Sequence, residues 1–298
     1  MRSVKKGINH WCFPSSYGVE EAARLAAQAG FHGFEMNVTL PPKQEEGKAG
    51  AAKLTESLGL HDSPSLTTAT QEAEARRLAR AVRDLGLELP SLSTALLWQF
   101  PLSHPDEAVR QQGIAIVEKM LQLAEWMGIE AILVVPGVVT ADSPYQAVWD
   151  RSLEALKHLA AVAARHRVVI GVENVWNKFL LSPLEFRRFL ETIDSPWVGA
   201  YFDIGNVLVN GYPDQWIRIL GPFIRRCHVK DFRTDIGNIQ GFVPLLQGHV
   251  PWKAVVEALE EIGYDGYLTA EISPYPSAPD KLIFDTSTSL DRILAKKV

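Results

Sequence analysis

Glu173 in GVENVW, Asp203 in YFDIGN, His228 in RCHVKD and Glu271 in LTAEIS are three carboxylates and one imidazole, each near the end of a largely apolar run. An ionised carboxylate held alone in such surroundings is strongly disfavoured, or it gives up its charge; a shared divalent cation removes that penalty. Any one of the four would be explained by a solvated strand end or a helix cap. Together they point to a metal centre. Three oxygen donors and one nitrogen, with no thiolate, suit Mn2+, Mg2+ or Co2+ at least as well as Zn2+, and one such divalent ion is expected on Glu173, Asp203, His228 and Glu271.

Such a cluster needs strands that end at one level. The chain alternates short β-branched or apolar runs with helices of period 3.6, and eight strands are expected at 5–11, 33–38, 87–94, 131–137, 168–176, 198–206, 226–233 and 266–273. The helices end in Gly30, Gly86 and Gly128, where a left-handed residue closes the last turn. Pro183, Pro213 and Pro251 open later ones, where the missing N–H is not needed. Runs such as AILVVPG and VVIGVENV are apolar almost throughout, the pattern of parallel strands covered on both faces. At 298 residues, each of eight units takes about 37, so the expected fold is α/β, a single (β/α)8 TIM barrel over 1–298 with long loops at about 39–70 and 234–250. An open doubly wound sheet is the rival, but no Gly-x-Gly-x-x-Gly follows the first strand.

Composition narrows the function. Lys and Arg number 30 against 35 Asp and Glu, a net charge of −5, which disfavours phosphate-neutralising nucleic-acid binding. No apolar run is long enough for a membrane span, and the N-terminus lacks the layout of a secretory signal. Two cysteines, Cys12 and Cys227, build no disulfide framework, and a cytoplasmic protein is expected.

Strand parity sorts the neighbours of the cluster. If His228 points inward so does Lys230, while Cys227 and Asp231 face the helices. Glu35 shares inward parity with Gly33 and Asn37, and is a candidate acceptor for a substrate hydroxyl. Asn206 follows Asp203 and would meet a substrate hydroxyl or cap the next turn; His10 and Trp11 end the first strand, the indole as a stacking wall or as mouth packing. Lys230 and Arg233, beside the Gly-rich loop after strand seven, are candidates for a substrate phosphate.

These motifs resemble the xylose-isomerase-like barrel superfamily of sugar isomerases and epimerases, especially the ketose and pentulose-5-phosphate 3-epimerases. The resemblance covers the whole chain and rests on PDEAVRQQGI before the third helix, Glu173 with Asn174, FDIGN at 202–206, HVKD at 228–231 and Glu271. It implies that Glu173, Asp203, His228 and Glu271 hold the metal, and that Glu173 and Glu271 are also the catalytic proton-transfer pair. It departs at Asn206, where epimerases of free ketoses carry His, and at Leu180, where they carry Glu soon after a run like Asn177-Lys178-Phe179. The expected activity is inversion of C3 of a ketose or ketose 5-phosphate through a metal-stabilised enediolate. Aldose–ketose isomerisation, a hydroxypyruvate isomerase-like reaction and an inosose dehydratase-like elimination use the same site. An apurinic-site endonuclease fits less well, for want of further His ligands, as does a non-catalytic sugar-binding relative. The expected partner is a small sugar or sugar phosphate, with no nucleic acid and no membrane, in a dimer or tetramer of the chain.

Overall fold

Eight of the apolar runs pair in parallel and close on themselves. In the computed structural model, which describes residues 4–41 and 66–298, they form β1 (Lys5–Asn9), β2 (Gly33–Thr39), β3 (Leu92–Ser93), β4 (Ala131–Val134), β5 (Val169–Glu173), β6 (Val198–Asp203), β7 (Ile224–Val229) and β8 (Tyr267–Ala270). Each pairs with the next in the chain, and β1 also pairs with β8, Lys5 standing opposite Tyr267, so the sheet has no open edge. The helices between and after them are α1 (Val19–Gln28), α2 (Glu72–Asp84), α3 (Glu107–Met127), α4 (Tyr145–His166), α5 (Pro183–Ile193), α6 (Pro213–Leu220), α7 (Trp252–Glu261) and α8 (Pro279–Leu294). This is the expected (β/α)8 barrel.

The punctuation behaves as its chemistry requires. Gly30, Gly86 and Gly128 all take positive φ after their helices. Ser182 caps α5, its hydroxyl accepting from the Glu185 amide at 3.2 Å, with Pro183 in the first turn. Pro251 stands one place earlier than expected, as the residue before α7. No helix among the described residues is long and apolar enough to cross a membrane.

Most strands end sooner than their apolar runs. The first stops at Asn9, whose side chain accepts from the Trp11 amide and turns His10–Cys12 into a helical turn. The third keeps regular pairing only at Leu92–Ser93, with an isolated bridge at Glu88, because Pro90 between them has no N–H to give the ladder. The seventh breaks after Val229; Asp231–Phe232 then pairs antiparallel with Phe242–Val243, so the 234–250 loop folds back as a hairpin. The loop expected at 39–70 lies mostly outside the described residues; its end, Leu66–Thr67, pairs with β2.

Residues alternate across each strand, and outward positions such as Ile8, Phe34, Ile170, Phe202, Cys227 and Leu268 are buried in the apolar layer under the helices. The inward layer is polar instead. Asn9, Glu35, Ser93, Tyr201 and His228 are all fully buried and are linked by hydrogen bonds within the barrel. Gly171 makes room for this layer, since a Cβ there would lie 2.9 Å from Cβ of Tyr201.

Candidate metal centre and substrate cavity

Glu173 ends β5, Asp203 ends β6, His228 is the penultimate residue of β7 and Glu271 follows β8, so four neighbouring strands deliver one ligand each. Each offers a ligand atom, and these atoms lie within 4.8 Å of one another. Around an ion with bonds of about 2.0–2.2 Å, opposed ligands stand about 4 Å apart, so the spacing suits one shared cation. The buried His228 Nδ1 has no hydrogen-bond partner and lies 3.5 Å from Glu173 Oε1 and 3.7 Å from Glu271 Oε2. An orphaned imidazole nitrogen aimed at carboxylates fits a divalent cation.

Local backbone geometry sets the ligands. Asn174 locks β5 to β6, its side chain donating to Asp203 O at 2.8 Å and accepting from Asp203 N at 2.9 Å. Asp203 serves two purposes: Oδ1 caps the turn Ile204–Val207 by accepting from the Asn206 amide at 2.7 Å, and Oδ2 faces the cluster. The Cys12 thiol, pushed up to about 12 by burial, remains protonated; it donates to Ala270 O at 3.2 Å and accepts from Ile272 N at 3.3 Å, holding the backbone on both sides of Glu271. Cys227 is buried and unbonded to another cysteine, matching its reading as core.

Glu35 points inward as its parity implied, but it is not placed to accept from a substrate hydroxyl. It is fully buried beneath His228, outside the cavity lining, with His228 Nε2 at 2.7 Å and with Asn9, Ser91 and Tyr201 as further donors. Both oxygens are taken, so no substrate hydroxyl reaches them. Burial alone would raise its pKa, but the His228 charge together with the hydrogen bonds from His228, Ser91 and Tyr201 outweighs burial and holds the carboxyl below its usual range. For His228, burial favours loss of the proton, while Glu35 and Glu271 together hold its pKa well above the ordinary value. A carboxylate on one ring nitrogen orients the other toward a metal, a role for Glu35 that parity alone did not distinguish.

Lys230 does point inward, at the floor. Its ammonium sits 2.7 Å from Asp203 Oδ2 and also bonds Glu271 Oε2. Burial disfavours that charge, but Asp203 and Glu271 outweigh it and raise its pKa.

Above the cluster opens a cavity of ≈ 350 Å³ whose lining includes Glu173, Asn206, Lys230 and Glu271. Trp11 is on its wall, joined by Trp98, Trp176, Phe242 and Tyr275, which the sequence had not singled out for the site. Their signal was position: Trp98 and Phe242 lie in segments just past strand ends. Asn206 also lines the cavity, but its Nδ2 is spent on Asn174 O at 3.0 Å. His10 is fully buried with Nε2 3.0 Å from Tyr17 O, and Arg233 is about half exposed, paired with Asp235 at 2.6 Å. Neither lines the cavity, so both depart from the expected substrate contacts.

The hairpin wall hangs on Asp231. Each of its carboxylate oxygens accepts twice, from Phe232 N and Val250 N and from Leu246 N and the Trp252 indole, at 2.9–3.0 Å. Gly248 must be glycine for this approach, since a Cβ there would lie 2.3 Å from Asp231 Oδ1. In Asp231→Asn an amine must face two of those donors, each bond being worth about 1.5–3 kcal/mol. The expected result is faster proteolytic cleavage within 234–250 with Mn2+ affinity retained; an unaltered cleavage rate would remove Asp231 as the anchor.

Burial pushes the Glu173 carboxyl up to about 7, with Glu271 and Asp203 adding to the shift and His228 opposing it. A cation entering the cluster must displace that proton at acid pH and finds it already gone at alkaline pH. Titration calorimetry should therefore give one Mn2+ per chain, with affinity rising from pH 6 to pH 8 and proton uptake by the buffer. Affinity independent of pH would place the ion elsewhere.

A closed α/β barrel whose strand ends gather a cluster able to hold a divalent cation defines the class of protein. The chain belongs to the xylose isomerase-like TIM barrel family, whose sequence profile matches residues 23–291. It is 27% identical over 270 residues to L-ribulose-5-phosphate 3-epimerase UlaE of Salmonella paratyphi A, covering 89% of this chain and 86% of that one. It is also 27% identical over 277 residues to the putative L-ribulose-5-phosphate 3-epimerase SgbU of Escherichia coli K12, covering 91% and 90%. Among solved structures, an L-ribulose 3-epimerase superposes with a TM-score of 0.77 at 18% identity, over 98% of this chain and 95% of that one. The IOLI protein with a bound zinc atom gives 0.76 at 17% identity, over 99% of both.

Proposed function

We propose that this enzyme inverts C3 of a ketose, with Glu173 and Glu271 as the acid–base pair. The observation that carries the reading is that these two carboxylates, from strands three steps apart around the ring, lie 3.5 and 3.7 Å from His228 Nδ1 and line one cavity. The hydrogen on C3, next to the ketone, is too weakly acidic to leave unaided at neutral pH, and a carboxylate within hydrogen-bond reach takes it. A proton returned by the same carboxylate restores the starting sugar; one delivered by the other, to the opposite face of the planar enediolate, inverts the centre. Two flanking carboxylates thus favour epimerisation over an aldose–ketose shift, which needs one. Glu173, Asp203, His228 and Glu271 are the residues that would hold a divalent cation, which when bound supplies Lewis-acid stabilisation of charge developing on the ketone oxygen.

The names of the sequence relatives support the reaction class. The donor set of three oxygens and one nitrogen supports Mn2+ as the working ion, and two free thiols support a cytoplasmic setting. The reading takes residues 1–298 as one barrel domain. A panel of ketoses in deuterated water with Mn2+ tests the reaction: deuterium entering C3 with inversion is expected, and exchange confined to C1 would make the enzyme an aldose–ketose isomerase instead.

A further inference from the structure

Tyr201 touches both the imidazole of His228 and the carboxylate that orients it. Its hydroxyl donates to Glu35 Oε1 at 2.6 Å, and its ring meets the imidazole at 61° with centroids 4.5 Å apart. Tyr201 lies inward on β6, before Asp203 on the same strand, fully buried and outside the cavity lining. Substrate does not reach it.

The two contacts remove different freedoms of the imidazole. Glu35 Oε2 accepts from His228 Nε2 at 2.7 Å and from Asn9 at 2.5 Å, while Oε1 is held from the other side by Ser91 at 2.5 Å and by Tyr201. With both oxygens tied, the carboxylate keeps its rotation and with it the direction of the bond to Nε2–H. That bond alone leaves the tilt of the ring about its own line open, and the edge-to-face contact with Tyr201 closes it. Tilt decides whether Nδ1, 3.5 Å from Glu173 Oε1 and 3.7 Å from Glu271 Oε2, faces the cluster.

The barrel interior is shaped to admit a phenol here. A Cβ at Gly171 would lie 2.9 Å from Cβ and 3.0 Å from Cδ2 of Tyr201, and position 91 holds a serine whose oxygen is 3.0 Å from the phenol oxygen. A phenylalanine would fill the same space. What the hydroxyl adds is the hold on Glu35.

We propose that Tyr201 is a positioning residue for the metal centre, setting the imidazole of His228 through Glu35 and through direct ring contact. Its effect on a cation rests on the reading of Glu173, Asp203, His228 and Glu271 as ligands; its effect on the imidazole belongs to the chain alone. Members of a buried hydrogen-bonded unit are energetically coupled, and a double-mutant cycle isolates that coupling from packing.

Tyr201→Phe keeps the ring and deletes the donor. After chelation, the proton on His228 Nε2, bonded to a buried carboxylate, is followed by NMR as a downfield line identified by its loss in His228→Gln; Tyr201→Phe is expected to move that line. Mn2+ affinity should fall about 3–10-fold in Tyr201→Phe, but less than about 2-fold when Tyr201→Phe is added to Glu35→Gln, where an amide NH2 faces the hydroxyl and takes no bond from it. Tyr201→Leu, which loses the ring contact as well, should bind Mn2+ more weakly than Tyr201→Phe. An unmoved line, equal losses in the two backgrounds, or no further loss in Tyr201→Leu overturns the proposal. A moved line in an enzyme whose wild type binds no Mn2+ upholds it for the imidazole while rejecting the metal reading, so the two fail separately.

Discussion

Glu173→Gln and Glu271→Gln, each saturated with Mn2+, should lower epimer interconversion by about 10²–10⁴-fold while retaining solvent exchange at C3 of one epimer. In each variant one carboxylate survives. It still removes the C3 hydrogen from the face it touches, exchanges it with water and returns it to the same face. The epimer it acts on therefore takes up deuterium without inverting, and the two variants act on opposite epimers. The pattern separates lost proton transfer from lost metal binding, which would abolish exchange for both epimers. A variant that still interconverts the epimers would remove its residue from the pair.

The second large effect is expected at Glu35, which touches no substrate. Glu35→Ala strands the donors of Asn9, Ser91, Tyr201 and His228 in a fully buried layer. Breaking a buried charged pair costs about 3–5 kcal/mol, which thermal melting should register as a large fall. Glu35→Gln keeps the volume and an acceptor for His228 Nε2–H while losing the charge; the expected loss is about 10–100-fold in Mn2+ affinity with most of the stability kept. Unchanged Mn2+ affinity in Glu35→Gln would mean that the imidazole is oriented without it.

Much of this was legible along the chain because it is local. The left-handed glycines at 30, 86 and 128 and the proline at 183 act through their own φ and N–H, so their effect does not depend on distant partners. The four-residue cluster was legible because a barrel puts every strand end at one level, and parity then carries Lys230 inward with His228. Strand ends were read too long at Asn9, Glu173 and Asp203, since the side chains that cap the following turns, as Asn9 and Asp203 do, interrupt apolar runs without altering their composition.

The sequence by itself determined the closed parallel barrel and the cluster at its mouth, both set by periodicity and by residue types that need each other's company. Only the tertiary structure decided what the inward polar residues do. Glu35 and Ser91 are 56 positions apart and Glu35 and His228 are 193 apart, yet one carboxylate serves both, so its role depends on which strands become neighbours. Arg233 and Lys230 read alike as phosphate ligands; the hairpin turned one outward and the carboxylates drew the other to the floor. Charge at the cavity wall is a sum over loops from distant strands, and only closure of the barrel assembles that sum.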